Sequence, residues 1–134
     1  MIVRISSKLH MHLRALAARR PDEEVCGLLF GTADEITGIE QTDNISSSLN
    51  DSFEIDPTKL IAAHRRVRAG GPTIIGCFHS HPGGRPTPSE RDAQSAAPDG
   101  QYWLIIGDDV GLWRAVACGR VHARFDRVDY LVDD

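Results

Sequence analysis

The stretch PTIIGCFHSHPGGRPTPSERD, residues 72–92, begins as an apolar run and ends as a polar helix start. Residues 72–80 read as a buried strand. Pro82, Gly83, Gly84, Pro86 and Pro88 then make a stiff, exposed loop, and Ser89 opens a short helix through about Ala97. A strand, a tight loop and a helix of this kind suit an α/β domain. The two histidines within the stretch, His79 and His81, are separated by one residue. On a strand, positions i and i+2 point to one face and stand about 6.5–7 Å apart along the backbone. Their imidazoles can therefore converge on one ion. Asp92, in the first turn of the next helix, is the nearest carboxylate that could fold back to that face. Ser89-x-x-Asp92 has a plainer reading as a capping box, in which both side chains satisfy backbone donors and nothing more.

Outward from this segment, MIVRI (1–5) reads as a strand. Ser6 or Ser7 can cap a helix that carries Leu9, Leu13, Leu16 and Ala17 at helical spacing and stops at Pro21. VCGLLFG (25–31) has the continuous apolar character of a strand buried on both faces. A further strand falls within 35–43, and NISSSLNDS (44–52) reads as an exposed loop. Asp56-Pro57 starts a second helix that the glycines at 70–71 end. The remainder reads as strands over 101–107, 112–119 and 120–126. The tail RVDYLVDD is apolar enough to pack on the domain or on a second copy. Helices alternate with strands early and strands dominate late, which predicts one domain over 1–134, a mixed sheet with helices against it.

A chain of 134 residues is long enough to bury a core without staples. Apolar residues make up 41% and charged residues 25%, ordinary for a globular protein. The net charge of −4 argues against a nucleic-acid or anionic-membrane partner, although HRRVR at 64–68 leaves a local basic patch open. Three cysteines, Cys26, Cys77 and Cys118, sit singly in apolar runs and suggest reduced thiols rather than a disulfide framework. No run approaches the ~20 apolar residues of a membrane span, and the N-terminus lacks the pattern of a signal peptide, so a cytoplasmic location is expected. Cys77 shares the strand face of His79 and could serve as a ligand or thiol nucleophile, but a packed apolar role is simpler. His10, His12, His64 and His122 lack ligand-like spacing and read as surface groups. Trp103 and Trp113 read as core.

Several of these features together resemble the JAMM, or MPN-plus, metalloprotease family. His79-Ser80-His81-Pro82, the interval to Asp92 and Ser89-x-x-Asp92 look like its metal motif. Glu24-Val25-Cys26-Gly27-Leu28-Leu29-Phe30-Gly31 is similar to the glutamate-bearing segment of its prokaryotic members, and Phe53-Glu54-Ile55-Asp56-Pro57 also looks like theirs. The resemblance covers roughly residues 1–120. It implies a fold similar to that of the cytidine deaminases, a mixed sheet layered with helices. It implies one Zn2+ per chain on His79, His81 and Asp92, with Glu24 as general base and Ser89 as donor to the oxyanion. Adjacent Glu23 is the rival base, but strand alternation turns the two glutamates to opposite faces, and the spacing to Cys26-Gly27 favours Glu24. The reaction implied is hydrolysis of a peptide or isopeptide bond at the C-terminal tail of a ubiquitin-like or sulfur-carrier protein ending in Gly-Gly. Residues 44–55 are expected to form one wall of the groove for that tail. The alternatives are a non-catalytic scaffold of the same fold, and a peptidase acting on cell-wall or other small peptides.

Overall fold

The computed structural model describes residues 2–134, so Met1, assigned to the first strand from sequence, lies outside it. The chain forms β1 (Ile2–Ser6), α1 (Ser7–Arg19), β2 (Cys26–Gly31), β3 (Glu35–Thr42), α2 (Pro57–Arg68), β4 (Ile74–Ser80), α3 (Glu90–Ser95), β5 (Tyr102–Ile106), β6 (Val110–Gly119), β7 (Ala123–Arg127) and β8 (Asp129–Asp133). All eight strands join one sheet in the order β7-β6-β5-β4-β2-β3-β1-β8. β4 runs parallel to β5 and antiparallel to β2, which makes the sheet mixed.

Helix boundaries follow their capping chemistry. The Ser6 hydroxyl accepts from the Leu9 N–H at 3.1 Å, and Asp56 accepts from the Thr58 N–H at 3.0 Å. Each satisfies an N–H that the first helical turn cannot. Proline follows Asp56 at the first helical position of α2, where its missing N–H costs nothing.

Strand alternation divides the core between two faces. Leu29, Phe78, Leu104 and Ile106 pack with Leu13 and Leu16 of α1. Their neighbours in sequence point the other way. Leu28 and Phe30 meet Ala63 of α2, and Trp103 and Ile105 join Phe125 and Ala96 beside α3. His79 lies in this second face, one residue from fully buried Phe78. Burying a side chain the size of Phe78 contributes roughly 1.5–3 kcal/mol, so the strand carrying His79 is firmly anchored. Gly76 allows β4 and β5 to meet closely, since a Cβ there would lie 1.9 Å from the Tyr102 carbonyl oxygen.

Three details differ from the sequence reading. Glu24 was expected on the strand, but β2 begins at Cys26 because the Val25 N–H is taken by the Ser80 hydroxyl instead of a ladder carbonyl. Residues 120–122 form a turn rather than strand, and His122 and Ala123 adopt positive φ values of 51° and 57°. The tail supplies an edge strand, β8, parallel to β1. No described helix is long and apolar enough to cross a membrane.

Candidate metal and catalytic site

The site forms where β4 ends. His79 is the penultimate residue of β4, and His81 follows the strand by one position. Their Nε2 atoms lie 3.0 Å apart. Asp92 reaches them from the first turn of α3, with its Oδ2 3.2 Å from His79 Nε2 and 3.1 Å from His81 Nε2. Tetrahedral zinc with ligands at ~2.0–2.2 Å requires donors about 3.3 Å apart. The triangle of two nitrogens and one carboxylate oxygen matches that spacing, so the donor set fits a small divalent ion.

The surrounding groups orient these donors. The His81 Nδ1–H donates to the Arg85 carbonyl at 3.0 Å, which places the lone pair on Nε2, facing the triangle. His79 is fully buried, and its ring stacks on Phe53 at 4.2 Å with the edge of Trp103 at 5.7 Å. Burial pushes the His79 imidazole below its usual range and favours the neutral form that ligates metals. Burial also opposes ionisation of Asp92, but its close contacts with the His79 and His81 imidazoles outweigh it and hold the carboxyl well below the usual range. For His81 burial lowers, but contact with Asp92 and the Arg85 carbonyl raises the pKa overall.

Ser89 and Asp92 form the reciprocal capping box. The Asp92 N–H donates to Ser89 Oγ at 3.0 Å, and the Ser89 N–H donates to Asp92 Oδ2 at 2.9 Å. Asp92 Oδ2 thus both caps α3 and faces the two imidazoles. Ser89 Oγ acts as an acceptor in the cap, so its own proton stays available to donate.

Glu24 approaches from the β2 side. A carboxylate oxygen of Glu24, His79 and His81 place their candidate donor atoms within 4.8 Å of one another. Its Oε1 is buried without a hydrogen-bond partner. Burial pushes the carboxyl up to about 7, with His81 opposing the shift and Asp92 adding to it. A buried carboxylate this close to the triangle of donors is placed to meet a small molecule sitting between them. Glu23 points elsewhere, half-exposed and 4.0 Å from Arg20. Cys77 packs against the cluster that holds Trp103, Ile105 and Phe125, and burial pushes its thiol up, which suits a core residue rather than a nucleophile.

The residues match one family model, prokaryotic homologs of the JAB domain, over 6–119. The chain belongs to the prokaryotic JAB family. It is 32% identical over 100 residues to a desampylase from Haloferax volcanii, covering 73% of this chain and 72% of that one. The fold is similar to a solution structure from Desulfitobacterium hafniense, with a TM-score of 0.83, 22% identity and coverage of 99% and 94% of the two chains. It is also similar to a JAB1/MPN domain protein from Archaeoglobus fulgidus, with a TM-score of 0.59, 17% identity and coverage of 97% and 98%. The mixed sheet layered with helices is thus the JAB/MPN fold.

In this JAB domain a groove of about 380 Å³ leads away from His81 between α1 and the loops at 82–84 and 106–108, with Arg14, Arg20 and Asp108 on its walls. Several residues that build the site were given no role of their own by the sequence. Ser80, lying between the histidines, accepts from the Val25 N–H at 2.9 Å. Asn44, read only as part of a loop, donates to the Glu24 carbonyl at 2.9 Å. Phe53 precedes Glu54-Ile55-Asp56-Pro57, and its contact with His79 is what reveals a role.

Proposed function

We propose that this JAB domain is a zinc-dependent isopeptidase or peptidase that cleaves at the C-terminal tail of a ubiquitin-like or sulfur-carrier protein. The observation that carries the reading is the close set of His79 Nε2, His81 Nε2 and Asp92 Oδ2, with a Glu24 carboxylate oxygen within 4.8 Å of the two imidazole donors. His79, His81 and Asp92 would hold the ion. Bound there, zinc supplies Lewis acidity, which makes a water easier to deprotonate and a carbonyl easier to attack.

The chain's own residues do the proton work. An amide is a poor electrophile with a poor leaving group, so a positioned base and acid are needed. Glu24 takes a proton from the attacking water and returns it to the leaving amine. Burial raises the proton affinity of this carboxyl, which suits it to accept a proton from water. The Ser89 hydroxyl, its lone pair engaged by the Asp92 N–H, donates to the oxygen where negative charge develops. Phe53 and Trp103 exclude water from the His79 side.

For the substrate, likeness to a desampylase supports a ubiquitin-like partner. A Gly-Gly tail suits a narrow site, because glycine permits close backbone approach. The 44–55 loop, which stands beside Glu24 and carries Phe53, would form one wall for it.

The test is incubation of the purified chain with carrier proteins bearing a Gly-Gly tail and a C-terminal extension, with and without a chelator, read by intact mass. Loss of the extension that the chelator abolishes is the expected result. A chain that binds no zinc after supplementation and cleaves none of these substrates would be a scaffold.

A further inference from the structure

We propose that Asn44 is the positioning residue for Glu24, tying the backbone of the base to both ends of the loop that walls the site. This inference rests on the assignment of Glu24 as general base. The Asn44 carboxamide uses its full hydrogen-bonding capacity of two donors and two acceptors. Nδ2 donates to the Glu24 carbonyl and to the Ser52 carbonyl, each at 2.9 Å. Oδ1 accepts from the Ser46 N–H and the Glu54 N–H, each at 3.0 Å. In return, the Glu24 N–H donates to the Leu49 carbonyl at 2.7 Å, in the middle of the same loop. Both backbone polar groups of Glu24 are therefore satisfied by residues 44–49 and not by the sheet.

A simple turn would not need this arrangement. The Oδ1 bond to Ser46, two residues on, is an Asx-turn, which aspartate makes as well as asparagine. Only asparagine can also donate to Glu24 and Ser52. The bonds to Ser52 and Glu54 bracket Phe53, whose ring stacks on His79. One carboxamide thus fixes the base on one side and the support of a candidate ligand on the other. Loop residues that lack a sheet to hold them drift most readily, and a misplacement of about 1 Å in a catalytic group can cost on the order of 100-fold in rate.

The experiment compares the full wild-type chain with Asn44→Asp and Asn44→Ser, using three readouts. Asn44→Asp keeps both acceptors and loses both donors; Asn44→Ser removes the carboxamide without adding charge, so an effect common to both belongs to the lost donors. The first readout is kcat and KM on a Gly-Gly-tailed carrier fusion, where both variants should lose about 10–100-fold in kcat with KM little changed. The second is zinc per chain, which should stay at the wild-type value. The third is amide hydrogen exchange, where the Glu24 N–H should exchange at least tenfold faster while the Phe78 amide in β4 stays protected. Wild-type kcat together with wild-type Glu24 exchange overturns the proposal, as does a loss that falls equally on zinc content and Phe78 protection. If the wild-type chain itself turns over nothing, the hydrolase reading has failed. The exchange result then still decides whether Asn44 holds Glu24.

Discussion

Val25 and Ser80 clasp each other twice across the β2–β4 boundary. The Ser80 N–H donates to the Val25 carbonyl at 3.0 Å, and the Val25 N–H donates to the Ser80 hydroxyl at 2.9 Å. The pairing continues the register in which Cys26 faces His79, and so brings Glu24 alongside His81. Ser80 is 3% exposed, so its hydroxyl cannot be replaced by bulk water. Ser80→Ala should leave the Val25 N–H unpaired and cost about 1–3 kcal/mol of stability. It should also reduce turnover, because the bond that sets the direction of Glu24 is lost. Denaturant unfolding and kcat on the same sample check both effects; a variant as stable as wild type would show that the hydroxyl bond contributes nothing.

Removing the charge of Glu24, the proposed base, should separate metal binding from chemistry. Glu24→Gln keeps the shape of the side chain and leaves His79, His81 and Asp92 untouched. The zinc content should match wild type, while turnover should fall by about 100- to 10,000-fold, the range that general acid–base catalysis supplies. His79→Ala should behave differently, losing the ion as well as the activity. Metal analysis beside a peptidase assay distinguishes the two. Retained turnover in Glu24→Gln would transfer the role of base to another group.

The elevated pKa of Glu24 has a definite sign. Its ordinary value is 4.5, and burial pushes it up to about 7. Between these two values the folded metal-free chain holds a proton at Glu24 that the unfolded chain has released. That contribution therefore favours folding at low pH and is lost as pH rises through about 7. Ionised Glu24 is the form that can accept a proton, so the metal-free carboxyl should titrate near 7 by carbon NMR. Adding zinc should move the titration downward, because a nearby cation favours the carboxylate. The acid limb of kcat/KM should follow the zinc-loaded value. A metal-free carboxyl that titrates at its ordinary value would show that Glu24 is not buried as described.

The parts of the site that periodicity and spacing reveal are those carried on regular elements. His79 and His81 could be assigned to one face because strand geometry fixes the i, i+2 relation, and Asp92 could be placed because Ser89 marks where α3 starts. The three helices were legible for the same reason, each having a side-chain cap at its N-terminus. Glu24 was harder: it lies outside β2, and its direction is set by Ser80 and Asn44, which are close in space and distant in sequence. β8 was obscure because an exposed edge strand has only one neighbour to satisfy, and its Leu131 and Val132 remain exposed, so the alternation that marks a buried face is missing. The turn at 120–122 was missed because His122 and Ala123 hold the left-handed conformation without the glycine that usually announces it.

Ser89 has two duties that a pair of substitutions can separate. As the N-cap of α3 it accepts from the Asp92 N–H, and the same turn presents Asp92 Oδ2 to both histidines. As a donor it would stabilise the oxyanion. Loss of a serine N-cap costs about 1 kcal/mol when alanine replaces it, but only a few tenths when glycine does. Loss of one oxyanion donor costs about 100- to 1,000-fold in kcat whichever residue takes its place. Ser89→Ala and Ser89→Gly should therefore differ in stability and agree in their loss of turnover, with zinc content retained in the glycine variant. If the glycine variant instead recovers wild-type turnover, the hydroxyl acts only through the helix cap, and the oxyanion must draw its hydrogen bond from elsewhere.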